Sequence, residues 1–300
     1  MLDFRVETFL AVCRHMNFTK AARELNITQP AVSHHIHYLE RAYGTALFQH
    51  NGKRLQLTEA GEILRRTLLT MKHDEQHLQK RMQQAASGTR DYSFGATLSV
   101  AEFMINEALG RFLQLHPDSH IQMQVADTKV LLSKLDSGEL DFAVVEGDFP
   151  KAEYDFFVFG TEEYVAAGDP EKAARYRGRR LTDLLVEPLL LREEGSGTRV
   201  ILEYYLKEHG LAAADFARTV EIGNIGAIKT LLKSGYGVSF LYRAAIRPEE
   251  AAGTLGVIEL SDFRLRHDIM FLFPKNSNFR ADYTAIFREL RACAAETGSA

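Results

Sequence analysis

The sequence has few cysteines, no long apolar run and no tract of biased composition. Only Cys13 and Cys293 occur among 300 residues, which excludes a disulfide framework and a four-cysteine zinc site. No stretch of 18 consecutive apolar residues is present, which argues against a transmembrane helix. The N-terminal segment carries Asp3 and Glu7 and lacks a cationic flank followed by an apolar run, so a secretory signal is not expected. We therefore expect a cytoplasmic protein with no membrane partner.

The residues that are present fit two globular domains of different charge. The length corresponds to two domains of roughly 150 residues, and 46% hydrophobic with 25% charged residues is ordinary for globular chains. Residues 1–90 hold 13 Lys or Arg against 8 Asp or Glu, a net charge of +5, and the rest of the chain carries −9. A basic front half is compatible with a polyanionic partner, although an excess of this size also arises by chance.

Apolar spacing predicts three short helices within the first 44 residues. The first covers residues 3–15. Thr19 is expected to cap a second helix over residues 20–25, and Thr28 to cap a third that closes at Gly44. A short helix, a tight turn and a further helix form the pattern of a helix-turn-helix, so the basic half is predicted to bind DNA.

The outer face of the third helix is predicted to read the DNA bases. Val32, Ile36 and Leu39 form its buried stripe, which leaves the opposite face to the major groove. Glutamine can contact adenine in a bidentate manner, serine bonds several base edges, and an alanine methyl can touch thymine. Helix starts and a two-cation loop after Asn51-Gly52 suit phosphates or the minor groove. The predicted DNA contacts are Thr19, Thr28, Gln29, Pro30, Ala31, Ser33, His34, His37, Lys53 and Arg54.

A long helix is predicted from Thr58 to about Gln84. Its apolar residues are spaced four, three, seven and four positions apart, which is the pattern of a heptad seam. The predicted dimerisation seam consists of Leu64, Leu68, Met71, Leu78 and Met82. The alternative is a single amphipathic helix that packs on its own domain.

From residue 90 onward, strands and helices alternate, which predicts an α/β domain with mostly parallel strands. Separate strands are predicted over residues 156–159 and 164–167, and one helical stretch over 99–115. In such sheets, ligands collect beyond the carboxyl ends of strands. The candidate ligand-binding residues at those ends are Thr97, Leu98, Ser99, Thr128, Glu146, Gly195, Ser196, Gly197, Thr198, Arg199 and Asn224. Each of them could instead only cap a loop.

The segment from Glu193 to Arg199 is the strongest of these candidates. It follows a predicted strand and precedes a helix, and its glycines allow a ligand to approach the backbone. Free N–H groups, two hydroxyls and the helix dipole would then form a binding site for an anion. Arg199 is expected to grip the ligand or to pair with Glu193 or Glu194. The segment is not a P-loop, because the spacing and the lysine differ. A plain capping turn is the alternative.

A family resemblance is carried by residues 18–61, which read FTKAARELNITQPAVSHHIHYLERAYGTALFQHNGKRLQLTEAG. This segment resembles the winged helix-turn-helix of the LysR-type transcriptional regulators, and the resemblance extends over the whole chain. It implies that Gln29, Pro30, Ser33 and His34 lie at groove contacts. The chain departs from the family pattern at His50, where family members usually carry arginine.

The resemblance implies an α+β multidomain architecture with three parts. These are a winged helix-turn-helix over residues 1–58, a linker helix over 59–88, and a two-lobed α/β effector domain over 89–300 that is similar to a periplasmic binding protein. Lobe I would comprise about 89–161 and 266–300, and lobe II about 162–265.

A transcription regulator accounts for both halves of the chain. It would bind a roughly palindromic site on double-stranded DNA as a dimer or tetramer, contact RNA polymerase, and respond to a small oxyanion or carboxylate. A DNA-architectural regulator without an effector is the alternative. An enzyme is not expected, since G-x-S-x-G and H-E-x-x-H motifs are absent from the sequence. A solute-binding protein would leave the front 60 residues unexplained. Neither a cofactor nor a metal is expected, because His34 and His37 lack a neighbouring cysteine or carboxylate.

Overall fold

The N-terminal region forms three helices followed by a two-stranded wing. The computed structural model describes residues 3–52 and 54–296. Its first elements are α1 (Phe4–His15), α2 (Phe18–Glu24), α3 (Gln29–Tyr43), β1 (Phe48–Asn51) and β2 (Arg54–Leu57). The two strands pair in antiparallel register, and Gly52 provides the left-handed residue of the turn with φ of 62°. Lys53, one of the predicted DNA contacts, lies outside the described residues.

Polar side chains determine where these helices begin. Asn17 Oδ1 accepts the Lys20 N–H at 2.9 Å, and Thr28 Oγ1 accepts the Ala31 N–H at 3.3 Å. The prediction that Thr19 caps the second helix is therefore wrong. The helix starts at Phe18, because Asn17 directly before it supplies the cap, and Thr19 lies inside the first turn.

Helix α4 (Glu59–Ser87) joins the two halves of the chain. Thr58 Oγ1 accepts the Gly61 N–H at 3.0 Å and caps its start. Leu68 is buried and Leu64 half-buried in the apolar core of the N-terminal region. The prediction of a seam that begins at Leu64 is therefore wrong for its first two residues, because the three short helices cover them.

The rest of the apolar stripe on α4 faces away from the protein. Met71, Leu78 and Met82 remain exposed, and so does Ile63, which was not among the predicted seam residues. At 100° per residue, these four side chains fall within one third of the helix circumference. The exposed stripe therefore runs along most of the helix.

The opposite side of α4 packs on the C-terminal half of the same chain through buried polar side chains. A His73 ring nitrogen lies 2.9 Å from the Leu140 carbonyl, and Asp74 accepts hydrogen bonds from Ser277 Oγ and from the Asn278 N–H. We call this region the linker contact. It comprises His73, Asp74, His77, Lys80, Leu140, Asp141, Ser277 and Asn278.

Asp141 is the central acid of the linker contact and is 3% exposed. Its carboxylate accepts the Ser93 N–H at 2.7 Å and Lys80 Nζ at 2.9 Å, and it lies 3.4 Å from His77 Nδ1. Burial alone would raise the pKa of Asp141, but the bonds from His77, Lys80 and Ser93 lower it below the usual range. Burial lowers the pKa of His73 to about 4, so this ring is neutral at pH 7.

The C-terminal half is built around one mixed nine-stranded sheet. Its strands are β3 (Arg90–Ala96), β4 (Ser119–Val125), β5 (Phe142–Val145), β6 (Tyr154–Gly168), β7 (Pro188–Leu191), β8 (Arg218–Glu221), β9 (Val238–Tyr242), β10 (Gly256–Val257) and β11 (Leu265–Pro274). The strand order is β4-β3-β5-β11-β6-β9-β7-β8, and β10 pairs with β6. The helices are α5 (Leu98–Phe103), α6 (Asn106–Leu115), α7 (Thr128–Ser137), α8 (Pro170–Arg175), α9 (Gly197–Glu208), α10 (Ile225–Lys233), α11 (Arg247–Ala251) and α12 (Arg280–Glu296).

The sheet differs from the sequence prediction in two strands and one helix. Strand β6 is a single 15-residue strand rather than two, because its middle residues pair with β11 in a long antiparallel ladder. Strands β11 and β6 lie between the parallel strands of the two ends and are antiparallel to each neighbour, so the sheet is mixed. The predicted helix over 99–115 is divided, and Asn106 Nδ2 donates to the Glu102 carbonyl where it breaks.

The topology brings three strand ends to one place between two lobes. Strands β3 and β5 are parallel neighbours in lobe I, β7 is parallel to β8 and β9 in lobe II, and β6 and β11 run through both. Thr97, Glu146 and Arg192 directly follow β3, β5 and β7. None of the helices in the described ranges has the length and apolar character that crossing a membrane requires.

Candidate functional site

The predicted base-reading residues share the outer face of α3. Gln29, Pro30, His34 and His37 are exposed, whereas Ala31 and Ser33 are half-buried. Gln29 Nε2 donates to Ser33 Oγ at 2.9 Å, so the amide is already oriented along the helix surface. The face offers donors and acceptors in the arrangement that a major groove accepts.

The remaining predicted DNA contacts lie around this face. Thr19 is exposed on α2, Thr28 caps α3, and Arg54 is exposed at the wing tip. His35 points the other way and bonds to Thr8 Oγ1 at 2.9 Å, which holds α3 on α1. Burial lowers the pKa of His35. Within residues 3–52 and 54–296, no group of three histidine, cysteine or acidic side chains could hold a metal ion.

Two hydroxyls connect the lobes where the candidate ligand residues lie. Ser99 Oγ, on α5 of lobe I, is 3.1 Å from Thr198 Oγ1, on α9 of lobe II, and both are buried. The buried Tyr164 hydroxyl donates to the Thr198 carbonyl at 2.8 Å and fixes the first turn of α9. The first intrahelical bond of α9 runs from the Val200 N–H to the Ser196 carbonyl. The preceding N–H groups therefore face outward from the helix start.

Three buried polar side chains gather at this helix start, and we call them the interlobe cluster. Thr97, Glu146 and Arg192 are 4%, 2% and 4% exposed. Thr97 Oγ1, Glu146 Oε2 and Arg192 Nη1 have no hydrogen-bond partner among the described residues. Leaving one buried polar atom unpaired costs about 1–3 kcal/mol, so three of them at one place indicate a site that is completed by another molecule.

Arg192 supplies the positive charge of the interlobe cluster. Its Nε and Nη2 atoms bond to both oxygens of Glu193 at 2.7 and 2.6 Å, which orients the guanidinium and leaves Nη1 available. Although burial opposes it, the bonds from Arg192 lower the pKa of Glu193. Arg192 was not among the candidate ligand residues, although it directly follows a strand as they do.

Glu146 supplies the acid of the cluster. Burial raises its pKa to about 7, although Ser99 and the charge of Arg192 pull it down; Asp127 raises it further. A Cβ added to Gly197 would lie 3.5 Å from Glu146 Oε1, so the carboxyl group sits directly against the first turn of α9. Glu146 therefore reaches from lobe I to lobe II.

A cavity of about 570 Å³ adjoins the cluster at Gly147 and Gly197, whereas the three cluster side chains are not among its lining residues. Thr128, Lys129, Ile201, Tyr205 and His267 contribute to its wall, which mixes polar and apolar side chains. A cavity of this size holds a small metabolite. Its tyrosine and histidine were not among the candidate residues, because they follow no strand end.

Two predicted ligand residues have partners within the protein. Arg199 pairs with Glu203 and Glu221, each at 2.7 Å, so the expectation that it pairs with Glu193 or Glu194 is wrong. Glu203 lies on α9 and Glu221 on β8, and Arg199 Nη1 also donates to the Arg192 carbonyl at 3.2 Å, so this guanidinium is engaged by groups of the protein itself. Asn224 Oδ1 accepts the Ala227 N–H at 2.9 Å and caps α10.

A winged helix-turn-helix joined by one helix to a two-lobed ligand domain defines a DNA-binding regulator. Comparison with known families agrees with this class. Residues 5–62 match the family described as "Bacterial regulatory helix-turn-helix protein, lysR family", and residues 85–294 match the LysR substrate binding domain. The chain belongs to the LysR family of transcriptional regulators. Proteins of this family bind DNA, form oligomers and bind small effectors, and they are regulators rather than enzymes.

The chain is similar to curated regulators over nearly its full length. It is 28% identical to the RuBisCO operon transcriptional regulator of Acidithiobacillus ferrooxidans over 305 residues, covering 97% of this chain and 94% of that one. It is 25% identical to CysL of Bacillus subtilis, covering 89% of each chain.

Solved structures of the family share the fold. Full-length LysG from Corynebacterium glutamicum, described with bound effector Arg, has a TM-score of 0.62 at 18% identity and covers 99% of each chain. The Synechocystis CcmR regulatory domain, described in complex with 2-PG, has a TM-score of 0.60 at 20% identity. That match covers 68% of this chain and 97% of the CcmR chain.

Proposed function

We propose that this LysR-family regulator responds to a small anion bound between the two lobes of its C-terminal half. The observation that carries the proposal is the pair of buried donors, Arg192 Nη1 and Thr97 Oγ1, which lack partners in the described chain. They lie near the start of the 12-residue helix α9, whose dipole and N–H groups favour negative charge. The 2-PG described with CcmR is a small organic anion, which supports this ligand class.

We also propose how the chain is divided and assembled. The DNA-binding part covers residues 1–58, the linker helix 59–88 and the effector domain 89–300. The exposed stripe of Ile63, Met71, Leu78 and Met82 would pair with a second copy. A two-fold dimer, alone or within a tetramer, would place two α3 helices on a roughly palindromic DNA site. The regulator would act in the bacterial cytoplasm and contact RNA polymerase at the promoter.

The effector would act by favouring one arrangement of the two DNA-binding pairs over another. A ligand shifts such an equilibrium only through its unequal affinity for the two states. Ser99 and Thr198 bridge the lobes, so a ligand that contacts both sides would change the lobe angle. The helix α7 begins at the cavity with Thr128, and Gly138 at its end lies against the Gln76 side chain, which offers a path to α4.

Thermal unfolding of the full chain against a panel of small anions tests this proposal. The panel contains sulfate, phosphate, phosphoglycolate and common carboxylates. A ligand at 100 times its dissociation constant stabilises the folded state by about 2.7 kcal/mol, which gives a clear shift in Tm. We expect Arg192→Gln to remove the shift and Arg199→Gln to retain it. Absence of a shift with every anion would contradict the anionic effector.

A further inference from the structure

Glu146 is the member of the interlobe cluster that a simple anion does not explain. Arg192 and Thr97 can donate to an oxyanion, whereas an ionised carboxylate only accepts hydrogen bonds. Glu146 Oε2 is buried and finds no donor in the parts of the chain that the structure describes. An inorganic oxyanion beside it would add a like charge and leave this oxygen unpaired.

We propose that Glu146 selects effectors that carry a hydrogen-bond donor, a hydroxyl or an ammonium group, next to their anionic group. This inference rests on the proposed effector site and narrows its ligand class. The anionic group would face Arg192 and Thr97, and the donor would face Glu146 Oε2. Hydroxycarboxylates, amino acids and phosphate esters of polyols have both groups on neighbouring carbons, so one small molecule can satisfy all three buried atoms.

The contacts of Glu146 leave Oε2 as a hydrogen-bond acceptor that a donor group of the ligand can satisfy. Its other oxygen lies against Gly197 at the start of α9, and the Ser99 side chain approaches it from α5. The charged and titratable groups that act on it are Arg192 at the end of β7, Asp127 at the start of α7 and Tyr242 on β9. Arg192 is already shared with Glu193, which limits how far it can neutralise a second carboxylate.

The opposing possibility is that Glu146 is protonated and donates to a simple anion. Burial raises the pKa of Glu146 to about 7, so both forms are present near neutral pH. If the neutral form bound the ligand, affinity for a plain anion would rise as the pH falls from 8 to 6. If the ionised form accepts from the ligand, affinity for a donor-bearing ligand holds or rises as the pH increases over the same range.

The experiment uses matched probe pairs that differ in a donor group. Calorimetry on the full chain compares lactate and alanine with propionate, and 2-hydroxypropyl phosphate with propyl phosphate, at pH 6 and pH 8. We expect the wild type to prefer the donor-bearing member of at least one pair by about tenfold or more, which is the effect of one hydrogen bond to a charged group. Glu146→Leu should abolish this preference, and Glu146→Gln should reduce it.

Glu194→Gln is the matched control, because this exposed carboxylate lies near the same helix start. It should retain the preference of the wild type. Equal binding of both members of each pair, or a preference that survives in Glu146→Leu, overturns the role of Glu146 and leaves the anionic effector standing. Failure of every probe to bind contradicts both the anionic effector and this inference. Binding of plain anions that strengthens at pH 6 and persists in Glu146→Gln assigns Glu146 as a donor and overturns the proposal.

Discussion

The linker contact and the interlobe cluster are both buried and polar, but they differ in how their atoms are paired. Asp141 in the linker contact accepts from Ser93 and Lys80 and lies beside His77. In the interlobe cluster, Glu146 and Arg192 each have a buried atom without a partner in the described chain. Burial alone therefore does not distinguish a structural contact from a binding site, whereas several unpaired buried atoms at one place favour a binding site.

This difference in pairing has different energetic consequences for the two regions. A satisfied polar network fixes one geometry, because every displaced group would lose a partner in a medium of low dielectric constant. An unsatisfied network is costly until a ligand completes it, and this cost becomes affinity and selectivity. The pairing of its atoms makes the linker contact architectural, and the unpaired atoms of the interlobe cluster support the proposal that it binds the effector.

The largest effect is expected from Asp141→Ala, which removes the central acid of the linker contact. The substitution would leave Lys80 and the Ser93 N–H unpaired, and should lower the free energy of unfolding by about 3–5 kcal/mol. Because hydrogen bonds lower the pKa of Asp141, its contribution is present above the usual aspartate range and disappears as the pH falls through the lowered value.

Denaturant unfolding of the full chain measures this loss, with Asp118→Ala as the control. Asp118 is exposed, and its replacement should change stability by less than about 0.5 kcal/mol. Similar stabilities for the two variants would show that the buried contact does not hold the linker helix.

The second-largest effect is an increase in stability, which we expect from Glu146→Gln. Burial raises the pKa of Glu146 from 4.5 to about 7, so the folded chain keeps a proton that the unfolded chain releases. Stability is therefore lost as the pH rises from about 4.5 to about 7. Glu146→Gln avoids this loss and should raise the free energy of unfolding by about 2–3 kcal/mol at pH 8 and very little at pH 4.5.

Unfolding at both pH values, with Glu194→Gln alongside, measures the gain. The control should be neutral at either pH, since its carboxylate is exposed. A destabilising effect of Glu146→Gln at pH 8 would mean that the acid is satisfied in the folded chain, and the contrast between the two buried regions would disappear.

The sequence predicted most of the architecture because local signals are strong there. Thr28 and Thr58 begin the helices that they were expected to begin. The errors arise where tertiary contacts decide the outcome. Strand β6 continues through a segment without strand periodicity because β11 pairs along it. Leu64 and Leu68 have heptad spacing, but they contact the N-terminal core.

The candidate site was predicted only in part, for a related reason. Residue type and strand ends located Thr97, Glu146 and Ser196 in one region. Which of two arginines is available depends on the full set of carboxylates around each, of which Glu193 and Glu203 are near in sequence but Glu221 is not. Arg199 meets Glu221 from another strand, and Arg192 keeps one nitrogen unpaired within the described chain. Periodicity and spacing do not contain that information.

The third effect is a loss of DNA affinity in Gln29→Ala. Gln29 belongs to an exposed polar pair, and hydrogen bonds within such a pair contribute less to stability than buried ones. Gln29 donates to Ser33 at 2.9 Å on the outer face of α3, and water can replace either group at small cost. Gln29→Ala should weaken binding to the specific operator by about 1–3 kcal/mol and have little effect on random DNA. Gel shift or anisotropy with both DNAs measures this ratio, and Gln114→Ala on α6 is the control. Equal weakening on both DNAs would mean that Gln29 contacts the backbone rather than a base.

The smallest effect sharpens the comparison between the two arginines beside α9. Arg199 is paired with Glu203 and Glu221, both of which are partly exposed, and such pairs contribute about 0–1 kcal/mol. Arg199→Ala should therefore lower the free energy of unfolding by no more than about 1 kcal/mol and leave the anion-induced increase in Tm unchanged. The measurement is thermal unfolding with and without the best anion from the panel, and Arg192→Gln serves as the comparison because it should remove the increase. If Arg199→Ala removed it while Arg192→Gln kept it, the anion would bind on the outer side of α9, and the unpaired nitrogen of Arg192 would not mark the site.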